Sequence, residues 1–117
     1  MINGFRDDFI IEDWMMFLDL TKKGGLLYAD GKVVASYRRH EGNLSGQLDK
    51  MLEGRLQIVN NFKDHPLYKI AKAKVYLMQA CDSIAFGKQK SILLFSRAFN
   101  IHPSIVFSKL FIIYLRK

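Results

Sequence analysis

The chain has little cysteine and no long apolar run. Cys81 is the one thiol among 117 residues, which excludes an internal disulfide framework and a multi-cysteine metal site. The longest apolar stretch near the end, residues 110–115, falls far short of the roughly 20 residues that cross a bilayer as a helix. Residues 1–8 lack the basic start and apolar centre of a secretory signal, and their acidic side chains argue against a transit peptide. Together these absences make a cytoplasmic location the expectation. Carboxylates are scarce in one half only. Residues 1–62 hold 8 basic and 9 acidic side chains, whereas residues 63–117 hold 10 basic and 2 acidic, and this is where the net charge of +7 arises. Such asymmetry suits an anionic partner: phospholipid, a lipid-linked diphosphate or nucleic acid. It also suits a solvated basic face. No helix-turn-helix, zinc or RNA-recognition signature accompanies the charge, so nucleic acid is not the expected partner.

Half of the residues are hydrophobic and 13% are aromatic, enough for one compact domain with its own core. The patterning predicts an α-rich α+β domain, with one helix, a short two-stranded hairpin and then about four packed helices. Trp14, Met15, Phe17 and Leu18 recur at helical spacing from Glu12, and Gly24-Gly25 ends the run. Residues 26–28 and 33–37, separated by Ala29-Asp30-Gly31, are expected to pair as short strands. Residues 40–46 have loop composition, and period 3.6 returns with Leu48, Met51, Leu52, Leu56 and Val59. A third helix opens near Pro66, carries its stripe through Leu67, Ile70, Ala71, Lys74, Leu77, Met78, Cys81, Ile84 and Ala85, and stops at Gly87. Ile92, Phe95, Ala98 and Phe99 mark a shorter fourth helix, and Pro103 is expected to open a single last one. There is no internal repeat and no low-complexity segment.

Two features carry chemistry. The first is the acidic pair Glu12-Asp13 at a helix start. The second, some 25 residues on, is the loop Tyr37-Arg38-Arg39-His40-Glu41-Gly42-Asn43-Leu44-Ser45. A carboxylate there could take the proton of a nucleophilic hydroxyl while Arg38, Arg39 and His40 neutralise a phosphate leaving group or help hold a divalent ion. Carboxylates in a first turn are also favoured simply by the helix dipole. Trp14 could offer a platform to a sugar ring, although an aromatic on an amphipathic helix is more often core.

The segment from Phe9 through Glu12-Asp13-Trp14 to Gly24, followed by Tyr37-Arg38-Arg39-His40 with trailing Asn43 and Ser45, resembles the conserved end of family 2 glycosyltransferases over residues 5–46. The resemblance implies a catalytic domain of GT-A fold whose acceptor-side end is residues 1–46, packed as one unit with a variable helical region, residues 47–117. It implies an inverting transfer of sugar from a nucleotide-sugar donor to a saccharide or lipid-linked acceptor, as in cell-envelope polysaccharide synthesis. Asp13 would be the general base and Glu12 its orienting partner. His40 would lie near the metal and the diphosphate, with Arg38 or Arg39 on phosphate. The family's nucleotide-binding strands and D-x-D metal motif have no counterpart here, and Asp7-Asp8 are adjacent rather than spaced. A divalent ion, Mg²⁺ or Mn²⁺, is therefore expected in the parent enzyme and none in this chain, which should not transfer sugar alone.

Other expectations follow from the second half. On the last helix Lys109, Arg116 and Lys117 flank Phe107, Leu110, Phe111, Ile112 and Ile113, a pattern suited to a membrane surface, here the cytoplasmic face, or to closing the helical core. The contrasting functional class is a stand-alone helical module that binds a protein partner or forms a homo-oligomer through uncovered apolar surface.

Overall fold

A computed structural model of the chain describes residues 4–22, 24–26, 28, 31–33, 35, 36, 38 and 42–117. These residues are mainly helical, in the order α1 (Glu12–Thr21), α2 (Leu48–Asn60), α3 (Tyr68–Ser83), α4 (Lys88–Ile101) and α5 (Lys109–Leu115). Short 3₁₀ segments lie at Leu44–Gly46, Ile84–Phe86 and Pro103–Phe107. Among the described residues none forms a strand. The described members of the expected hairpin, Leu26, Tyr28 and Val33, are almost wholly exposed, so no packed face holds them in a pleat. Ala35 and Ser36 are exposed as well, whereas Leu27, Val34 and Tyr37 of the two expected strands lie outside the described residues.

The central element is α3. Ala73, Val75, Leu77, Gln79, Ala80, Cys81 and Ser83 are all buried, a wider set than the single stripe predicted, because α2 packs on one side of α3 and α4 and α5 on the other. By contrast Leu67 and Lys74, expected on the stripe, are exposed. Small residues let α3 and α4 approach closely: Ala73 and Ala80 on α3 and Ser91 and Ala98 on α4 are all buried, with the larger buried Leu77 and Leu94 between them in the sequence. Ser91 Oγ donates to Ala80 O at 2.8 Å across this contact. One core gathers Ala73, Leu77, Ala98 and Ile105 with partly buried Phe95, Phe111 and Tyr114. Phe95 stacks on Tyr114 with centroids 5.2 Å apart and on Phe111 at 5.4 Å. A second, smaller core joins Phe9, Met15 and Ile58 to Ile11, Leu18 and Phe62, and so fastens α1 to α2.

Two boundaries differ from the periodicity. The fourth helix starts at Lys88, because Gly87, at φ +156°, turns the chain directly after the 3₁₀ segment. The last helix is two pieces. After the 3₁₀ segment the extended Ser108 starts α5, its Oγ accepting from Phe111 N at 3.3 Å, so the hydrophobic run hid an N-cap.

Candidate acceptor-side site at the start of helix 1

The acidic pair occupies the first turn of α1, and both carboxylates are exposed. Trp14 N–H donates to Asp13 Oδ1 at 2.7 Å, which satisfies one of the backbone donors a helix start leaves open. Glu12 lines a surface hollow of about 450 Å³ with Phe5, Asp7 and Phe9.

The chain before α1 is clamped to α2. Gln57 Oε1 accepts from Ile10 N at 3.1 Å, and Gln57 Nε2 donates to Asp8 O. Below them Gly54 is buried, and a Cβ built there would lie 2.8 Å from Ile11 Cγ1 and 3.1 Å from Ile10 Cβ. Only a residue without a side chain lets α2 come this close. Phe9 and Met15 are buried on either side of the acidic pair. The two carboxylates therefore project from a short segment fixed by a hydrogen-bonded glutamine, a glycine contact and two buried side chains.

Arg6 and Asp8 form a forked pair beside it, at 3.1 and 2.7 Å, with the Arg6 guanidinium 4.4 Å from the Phe9 ring centroid. The hydrogen bond from Arg6 holds the Asp8 carboxyl below the usual carboxylate range, and the same bond raises Arg6. Both lie at the surface, where such a pair contributes little to stability.

Of the expected phosphate-binding loop, Arg38 is described and its side chain is exposed; Arg39 and His40 lie outside the described residues. Asn43 Nδ2 donates to Arg38 O at 2.9 Å. No hydrogen bond or ion pair among the described residues joins Arg38 to Glu12 or Asp13. No three His, Cys, Asp or Glu side chains among the described residues gather as a metal site. Trp14 lies partly exposed on a groove of about 570 Å³ between α1 and the α2–α3 connection, with Leu18, Ile58, Phe62 and Tyr68, so it neither sits wholly in the core nor stands free.

The residues that position the acidic pair, Gly54 and Gln57, carry no motif. The available signal is a lone glycine inside an otherwise regular helical pattern, which points to close approach of another backbone. Compared with family models, curated proteins and solved structures, the chain has no match.

Proposed function

We propose that the chain is the acceptor-side, carboxy-terminal portion of an inverting family 2 glycosyltransferase, with Asp13 as the general base. The observation that supports this most is the clamped, exposed acidic pair in the first turn of α1. The Asp13 carboxylate takes the proton of the acceptor hydroxyl as its oxygen forms a bond to the anomeric carbon. The bond from that carbon to phosphate breaks on the opposite face, and the electron pair leaves with the nucleoside diphosphate. A base on a fixed helix start suits such a reaction, because small displacements of the base cost much of the rate. Glu12, one residue before it, steers Asp13 or an acceptor hydroxyl. Arg38, Arg39 and His40 belong with the diphosphate, and the short hairpin of residues 26–37 belongs with the GT-A fold. The nucleotide-sugar donor and the divalent ion are held by the half of the enzyme that carries the D-x-D motif, the acceptor is a saccharide or a lipid-linked sugar, and the location is cytoplasmic.

The test is a sugar-transfer assay on this chain joined in one polypeptide to its nucleotide-binding half. Asp13→Asn should lower kcat by roughly 10²- to 10⁴-fold with donor affinity unchanged, and Glu12→Gln should have a smaller effect. Transfer by the Asp13→Asn protein at the parent rate would reject the assignment. It would leave the acidic pair as a helix-start feature of an interaction module.

A further inference from the structure

The outer face of α5 is apolar where a solvated helix would be polar. Leu110, Phe111 and Tyr114 turn into the core. At 100° per residue the opposite side carries Lys109, Ile112, Ile113 and Arg116, all exposed, with Leu115 on the flank at 67% exposure. Phe107, in the 3₁₀ segment leading into α5, is 88% exposed. Residues 83–117 contain six Lys and Arg side chains and no carboxylate. Among the described residues only Lys90 of these six forms an ion pair, with Asp49 at 2.8 Å.

We infer that this face seats the domain on an anionic phospholipid surface. Phe107, Ile112, Ile113 and Leu115 would enter the interfacial region, with Lys109, Arg116 and Lys117 on the headgroup phosphates. The combination fits a bilayer for two reasons. Aliphatic and aromatic side chains flanked by cations match the boundary between acyl chains and headgroups. A patch with cations and no acidic side chain repels a second copy of itself. Among the described residues no helix is long and apolar enough to cross a membrane, and the contact inferred is a peripheral one. The inference does not depend on the sugar-transfer assignment, and its test reads vesicle binding rather than activity.

The measurement is co-sedimentation of the full chain with vesicles of phosphatidylcholine alone and of phosphatidylcholine with about one-third phosphatidylglycerol. Binding should appear with the anionic vesicles and be lost in 0.5 M salt, as a contact between surface charges requires. The triple variant K109Q/R116Q/K117Q should bind roughly a hundredfold more weakly, at about fivefold per cation. The variant F107S/I112S/I113S changes exposed side chains and should keep the parent far-ultraviolet spectrum and melting curve; it too should lose most binding. Three results would overturn the inference: no binding to anionic vesicles, equal binding by the F107S/I112S/I113S variant, or a dimer in sedimentation velocity abolished by that variant while the parent ignores vesicles.

Discussion

Gly54 of α2 lies directly beneath Ile11, the residue that leads into α1, with space for hydrogen but not for a methyl group. An alanine there would gain about 1 kcal/mol of helix propensity. Its methyl would meet Ile11 Cγ1 at 2.8 Å and Ile10 Cβ at 3.1 Å. Ile10 Cβ is tied to the backbone, so the segment before α1 must give by a few tenths of an ångström, and Ile11, whose Cδ1 would lie at 3.0 Å, must turn its side chain away. Overpacking of this kind costs about 1–3 kcal/mol, enough to outweigh the gain. Gly54→Ala is expected to lower stability in urea unfolding despite the better helix former, and to move the Glu12-Asp13 turn; a more stable variant would mean that the contact is looser than described.

Gln57 makes the polar part of the same clamp, and its loss should be local. Gln57→Ala removes the acceptor of Ile10 N–H and the donor to Asp8 O, at a cost of about 1–2 kcal/mol. Gln57→Glu keeps the acceptor but sets an oxygen against the Asp8 carbonyl, so it should restore little. Hydrogen exchange is the discriminating readout. The Ile10 amide should exchange faster in both variants, while amides in the middle of α3 and α4 keep the parent rate. Uniform acceleration across the chain would show that Gln57 supports the whole fold.

On the other side of α2, Gln79 is fully buried and bridges two helices. Its Oε1 accepts from Arg55 Nη1 at 3.1 Å, and its Nε2 donates to Leu48 O at 2.7 Å. Arg55 also reaches Asp82 Oδ2 at 3.1 Å. Leucine has similar bulk, so Gln79→Leu tests the hydrogen bonds more than the packing, and a loss of about 1–3 kcal/mol is expected. The cycle with Arg55→Ala should show coupling of about 1 kcal/mol, since the second substitution then removes a bond already broken. Additive losses would mean that Arg55 acts through Asp82 instead.

Periodicity made most of the helices legible, and their ends less so. Helix 1 stops two residues before the predicted end, where Gly24, at φ +85°, takes the turn, its N–H donating to Thr21 O. The single stripe predicted for α3 understated its burial because a helix held between neighbours hides residues on both flanks, and buried Gln79 looks polar to any pattern of hydrophobicity. The break at Ser108 was invisible for a related reason: one serine within an apolar run reads as a small helical residue until its cap geometry is seen. In the candidate site, the acidic pair was evident from residue type and position, but its clamp was not. Gln57 lies 47 positions from Ile10, and only the packing of α1 on α2 brings them together.

Cys81 gives a chemical probe of the contact between α3 and α5. Burial pushes its thiol above the ordinary value, with Lys117 partly opposing, and its Sγ lies 4.0 Å from Leu110 O. A raised native pKa means that the folded chain holds its proton after the unfolded chain has released it. The thiol's contribution to stability is therefore fully present below the unfolded pKa and is lost as pH rises through the folded one. The stability difference between the parent and Cys81→Ala should narrow in that direction on alkaline titration. At a fixed pH near 8, alkylation by iodoacetamide should be much slower in the native chain than in urea, because both the thiolate fraction and access are reduced. Removing the Leu110 side chain with Leu110→Ala should speed native labelling by loosening α5, while the rate in urea stays the same. If labelling of the native parent is already as fast as in urea, α5 does not cover α3 in solution.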